Sequence, residues 1–357
     1  LKYRMIGVII HEVGHNFFPM IINSDERQWT WMDEGLNTFV QYLTEQEWDK
    51  DYPSRRGPAA NIVDYMRGAP DGMVPIMTNS EQIMQFGNNS YGKPATALNI
   101  LRETVMGREL FDFAFKEYAR RWAFRHPSPA DFFRTMEDAS AVDLDWFWRG
   151  WFYTNDHCDQ SLDAVRWFQI DSKNPDREKP KMAEQKEREE QGISAIRNQK
   201  GYESVVEKDP ATRDFYNAYD PHAVTDADRE DYRKLVDKLS FNERKLLDSG
   251  LNFYQIDISN RGGLLMPVIM RFTFNDGTEQ IERIPAEVWR MDADSISKVY
   301  YFSKELVSVT LDPFLETADT DRSSNHWPPR VEPTRFQLFK ENKNEENPMQ
   351  RAKRAGK

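Results

Sequence analysis

The chain has 357 residues, which fits two domains with a possible linker, 39% of them hydrophobic and 13% aromatic, enough for buried cores, with 30% charged residues and a formal net charge of −11. That acidic balance counts against a nucleic-acid partner, which needs a basic face, and its ordinary effect is solubility. The single cysteine, Cys158, excludes an internal disulfide and a cysteine-built zinc site, and no apolar run approaches the ~18 residues of a membrane helix.

Residues 1–155 read as mostly helical. Over 4–17, Met5, Val8, Ile9 and Phe17 recur at helical spacing, and Pro19 stops the run. Ile9 and Ile10 are expected to anchor this helix in a core. Residues 33–48 repeat the pattern with Leu36, Phe39, Val40 and Leu43. Pro94 opens a helix that Gly107 ends, 109–124 is another, and Pro129 starts one over 128–139. Residues 143–152 are crowded with Trp146, Phe147, Trp148, Trp151 and Phe152, whose helical spacing predicts core packing.

Residues 156–250 read as a linker with charged helices. Over 171–190 the chain is polar and interrupted by Pro175 and Pro180. Thr225 with Asp228, and Ser240 with Glu243, mark two helix starts of the capping-box type. From 251 to 335 the signals turn to strands, over 253–258, 268–274, 280–284, 298–302 and 306–311, with turns at Asn260-Arg261-Gly262-Gly263 and Asn275-Asp276-Gly277. Residues 336–357 read as a polar tail. The expected class is α+β, a mainly helical unit followed by a small antiparallel β domain.

Chemistry concentrates at His11-Glu12-Val13-Gly14-His15, an H-E-x-x-H motif. Residues four apart on a helix lie about 40° apart around its axis, so both imidazoles can reach one ion. Zinc takes imidazole nitrogen and carboxylate oxygen and, in a catalytic site, keeps a position open for water. Glu12 stands where it can take a proton from that water and hand it to a leaving amine. Glu34, separated from His15 by eighteen residues and at the head of the next helical segment, is the expected third ligand. Gly14 permits close approach of a neighbouring helix or of substrate. The expected cofactor is one zinc ion per chain, held by His11, His15 and Glu34. A buried histidine pair beside a surface Glu34 is the alternative; the ion removes the cost of burying those polar groups unpaired. His126, His157, His222 and His326 have no ligand spacing, and Asp312, Asp319 and Asp321 read as a loop rather than a calcium site.

The run from His11 through Trp31-Met32-Asp33-Glu34-Gly35 resembles the aminopeptidase N family of zinc metallopeptidases, among the gluzincins. The resemblance covers about residues 1–155 and implies a thermolysin-like, mainly helical catalytic subdomain. Asp33 stands where that family usually has asparagine. Tyr91-Gly92-Lys93-Pro94 resembles the family's Y-x-K-G block, ending in proline instead of glycine, and implies that Tyr91 donates a hydrogen bond to the oxyanion of the tetrahedral intermediate. The strand-rich end is similar to the β domain of some bacterial members.

The resemblance implies an aminopeptidase acting on peptide substrates. A thermolysin-like endopeptidase with the same ligands and a non-catalytic zinc-binding scaffold are the alternatives. The family's G-x-M-E-N block, whose glutamate holds the substrate amine, does not occur here, and its expected place is before Leu1. The chain therefore reads as a C-terminal piece of a longer protein, with any leader upstream. Compartment stays open, with a weak preference for export.

Overall fold

Residues 2–201, 203–330 and 348–355 are described by a computed structural model. The tail expected over 336–357 lies outside the described residues, save for a short helix, Pro348–Arg354, and the residue that follows it.

The first half is helical: α1 Lys2–Gly14, α2 Leu36–Trp48, α3 Val63–Met66, α4 Lys93–Ile100, α5 Arg108–Trp122, α6 Pro129–Ser140 and α7 Asp145–Tyr153. Three of the expected long helices are interrupted by wide π-type turns. Asn16–Ile21 follows α1, Trp31–Gly35 precedes α2, and Leu101–Val105 follows α4. A fourth such turn, Gly87–Gly92, leads into α4. Local signals set the other boundaries. Ser128 and Asp131 form a reciprocal capping box with Pro129 in the first turn of α6, and Gly107, at φ +81°, separates α4 from α5.

The aromatic residues of α7 pack as core. Trp148 stacks on Phe133 with ring centroids 4.6 Å apart, and Phe152 meets the buried Trp31 edge-on at 4.8 Å. Trp31 is thus fixed just ahead of Glu34. Burying a large side chain of this kind contributes on the order of 1.5–3 kcal/mol. The expectation for α1 needs correction. Ile9 is 55% exposed and Ile10 only half-buried, while Met5, Val8 and Val13 also face solvent. α1 meets α2 through its glycines instead. A Cβ at Gly14 would stand 2.0 Å from Asn37 Oδ1, and one at Gly7 would stand 3.0 Å from Glu45 Oε1. At both glycines the space a Cβ would take is filled by polar side chains of α2, some of which also reach the His11 ring.

The second half is built from β1 Gln160–Gln169, β2 Asn252–Asn260, β3 Val268–Phe274, β4 Glu279–Ile284, β5 Ser295–Phe302, β6 Leu306–Leu311 and β7 His326–Trp327. They form two antiparallel sheets, ordered β1-β2-β5 and β4-β3-β6-β7. β2 alternates buried and half-buried residues, and its Tyr254, Ile256 and Ile258 share a core with Val268, Met270 and Phe272 of β3. β1 and β7 were not expected, and β1 falls within the range read as linker. Between β1 and β2, residues 175–188 form α8 (Pro175–Arg188) rather than an irregular stretch, with Asn174 as its cap and Pro175 in the first turn. The two helices expected further on are Asp226–Lys238 and Phe241–Leu247, each opened by the capping box read from sequence.

The halves share a seam. Cys158, Leu264, Met266 and Ala318, from the β half and its approach, belong to the core of the helical half. Arg67 donates to the Thr320 carbonyl at 2.9 Å, and Thr320 in turn donates to the Cys158 carbonyl. Glu316 accepts from Arg283 at 2.7 Å and from Thr104 at 3.2 Å. Gly262 turns against residue 157, where a Cβ would lie 2.1 Å from the carbonyl oxygen.

Candidate metal centre

His11 sits in the last turn of α1. His15 follows one turn later, outside the regular helix, but its backbone N–H still donates to the His11 carbonyl at 3.3 Å. The wide turn Trp31–Gly35 carries Glu34 opposite them. Glu34 Oε2 lies 3.1 Å from His11 Nε2 and 3.5 Å from His15 Nε2. Ligand atoms on a tetrahedral zinc, with bonds near 2.0–2.1 Å, stand roughly 3.3 Å apart, and both distances to Glu34 are close to that. Among the described residues this is the only cluster of three or more His, Cys, Asp or Glu whose ligand atoms gather within 4.8 Å.

The far sides of both rings are held. His11 Nδ1–H donates to Gln41 Oε1 at 2.9 Å, and Asn37 Nδ2 donates to the His11 carbonyl at 2.9 Å. His15 Nδ1–H donates to the Phe18 carbonyl at 2.8 Å, and Asp33 Oδ1 stands 3.0 Å from the same nitrogen without a hydrogen bond of its own. Holding Nδ1 in this way leaves Nε2 of each ring free to ligate. Asn37 and Gln41 are not among the residues expected from sequence. Their signal was there: they lie three and seven residues past Glu34, a polar stripe on a helix face otherwise apolar.

Charge in the cluster follows from these contacts. Burial works against a proton on His11, but the Glu34 carboxylate prevails and raises the imidazole. Burial also works against the Glu34 anion, and the contacts from His11 and Tyr91 prevail and lower it. Asp33 is pushed up to about 7 by burial and by the neighbouring Glu34, with His15 pulling the other way.

Tyr91 comes from the wide turn Gly87–Gly92. Its ring lies nearly parallel to that of His11, with centroids 5.8 Å apart. Burial and the Glu34 carboxylate raise its phenol, which is therefore a neutral donor at physiological pH. The Arg56 guanidinium carbon sits 4.4 Å from the centroid of the same ring. Glu12 is exposed on the turn between the two ligand histidines and is bound to no described side chain by a hydrogen bond.

The remaining histidines stand elsewhere. His126 Nδ1, for example, meets Asn23 Oδ1 at 2.7 Å. Asp312 and Asp319 are buried rather than solvated, and they staple their loop. Asp312 accepts from Thr317 at 2.8 Å and Asp319 from Asn325 at 3.1 Å.

Residues 2–151 match the model of the Peptidase family M1 domain. The glutamyl aminopeptidase of Bos taurus is 28% identical over 145 residues, which cover 39% of this chain and 15% of that protein. The alanine/arginine aminopeptidase of Saccharomyces cerevisiae is 25% identical over 148 residues, 40% of this chain and 17% of that protein. The chain thus spans less than a fifth of the length of these curated relatives. Among solved structures, Legionella pneumophila aminopeptidase A in complex with aspartic acid aligns over 88% of this chain and 26% of its own, with 13% identity and a TM-score of 0.47. A mutant M1 zinc metallopeptidase from Deinococcus radiodurans, bound to a Tyr-Ser-Ala substrate, aligns over 41% of this chain and 32% of its own, with 21% identity and a TM-score of 0.35. No helix among the described residues is long and apolar enough to cross a membrane.

Proposed function

Residues 2–151 belong to peptidase family M1, and on that footing we propose that the chain is the zinc-binding part of a metallopeptidase that removes N-terminal residues from peptides. The observation that carries this reading is the gathering of His11, His15 and Glu34, whose ligand atoms all lie within 4.8 Å of one another. One zinc ion per chain, when bound, supplies Lewis-acid polarisation of the scissile carbonyl and acidifies a water.

The chain's own residues supply the rest. Glu12 takes the proton of the attacking water and returns it to the leaving amine. Its exposure suits that task, since the carboxylate must reach incoming water and substrate. Tyr91, held protonated beside Glu34, donates a hydrogen bond to the oxyanion as it forms. Gln41 and the Phe18 carbonyl keep the two rings turned toward the ion. Assignment to N-terminal residues draws on the names of the matched relatives, glutamyl and alanine/arginine aminopeptidases.

Two variants test the reading. Glu12→Gln is expected to keep zinc and to lose turnover by at least about a hundredfold. Glu34→Ala is expected to lose zinc by elemental analysis after dialysis. Turnover untouched in the first variant, or full zinc in the second, would overturn the assignment.

A further inference from the structure

Arg56 is held in place by the chain around it. Gly57 takes a φ of +106°, and a Cβ there would stand 2.4 Å from the Tyr42 ring, so the backbone next to Arg56 is pressed against that ring. The guanidinium is half-buried and lies over Tyr91. Among the described residues no hydrogen bond or ion pair holds it. Arg102, which is likewise withdrawn from water, is paired with Asp112 at 2.6 Å. A guanidinium offers five N–H donors in a flat fork, and partial burial without an acceptor is costly. The group that completes such a site is a carboxylate, which the fork grips through two parallel bonds.

Its position says which carboxylate. The His11 ring, the Tyr91 ring and the guanidinium follow one another at 5.8 Å and 4.4 Å, so Arg56 stands within about 10 Å of the His11 ring. An extended peptide covers that distance in about three residues.

We propose that Arg56 is a specificity-determining residue that receives a carboxylate of the bound peptide two or three residues from the bond that is cut. Two sources offer that group: the free C-terminus of a tripeptide, or an acidic side chain near the third position of a longer peptide. The proposal rests on the peptidase reading above.

The test uses the full chain loaded with zinc and carrying Glu12→Gln, so that binding is read by calorimetry without cleavage. One arm compares trialanine with its C-terminal amide. The other compares pentapeptides with glutamate or glutamine at the third position. The acid of at least one pair is expected to bind about tenfold tighter than its neutral partner. Arg56→Ala is expected to erase that ratio, and Arg56→Lys, which keeps the charge, to retain part of it. The arm that responds identifies the source. Equal binding within both pairs, or a ratio that survives Arg56→Ala, overturns the role of Arg56 and leaves the peptidase reading standing. If the peptides neither bind this variant nor are cleaved by the native chain, the peptidase reading falls and the proposal with it.

Discussion

Lys93 sits at the end of the wide turn that carries Tyr91 and is 3% exposed, with its Nζ donating to the Thr154 carbonyl at 3.3 Å. Burial pushes its ammonium down to about 8, against the pull of Asp156. The sign of the consequence follows from proton counting. Between about pH 8 and the unfolded lysine value near 10.4, the unfolded chain holds a proton that the folded chain has released, so stability rises with pH across that window. Below pH 8 the full cost of the buried charge is present, on the order of 3 kcal/mol. Lys93→Met is therefore expected to gain stability over the native chain at pH 7.5, and the gap is expected to shrink toward pH 10. Denaturant midpoints at the two pH values measure it, and parallel pH dependences would refute it. At this scale the site was largely legible. Motif and spacing pointed to His11, His15 and Glu34, which the fold brings together, because metal ligation draws on few residue types. Arg56 was not legible, since one arginine in a loop has no pattern and acquires its meaning only from the ring beneath it.

The two elements that meet at the centre are α1 and α2, and Gly14 decides how closely. Alanine in a helix interior is ordinarily about 1 kcal/mol better than glycine. Here a Cβ would stand 2.0 Å from Asn37 Oδ1, on a side chain already committed to the His11 carbonyl. Overpacking of that kind costs about 1–3 kcal/mol and moves the histidines away from Glu34. Gly14→Ala is expected to lose stability and to bind zinc at least about tenfold more weakly in chelator competition. Adding Asn37→Ala should recover part of the stability. A single variant that is more stable and binds zinc as the native chain does would show that the contact yields freely. Helix starts were readable at Thr225 and Ser240, where a cap and its partner sit three residues apart. The wide turns were not, because each is one turn long and stands at the end of a helix, too short a stretch for its shifted apolar spacing to be read. β1 escaped for a related reason. It lies at one end of its sheet, and from Asp163 onward its side chains are half-buried or exposed, so Arg166, Trp167 and Phe168 show no alternation.

At the scale of the whole molecule, two cores are joined by a seam rather than by a tether. Leu264 presses on Gly150, where a Cβ would stand 2.5 Å from its Cδ1, and Met266 and Ala318 complete the packing of the helical half. The sequence separated the halves by composition, helical residues first and strands last, and this boundary by composition is not a boundary in the packing. Side chains that cross between cores lie far apart in the chain and leave no local signal. The one thiol in the molecule lies at this junction, fully buried, and burial holds it well above the ordinary cysteine range. Its chemistry is therefore silent while the halves are closed. Alkylation of Cys158 becomes a clock for their parting: the native chain is expected to react at the rate of opening, and Arg67→Ala, which removes a bond across the junction, is expected to run that clock about five to ten times faster. An unchanged rate in that variant would mean that the halves come apart elsewhere.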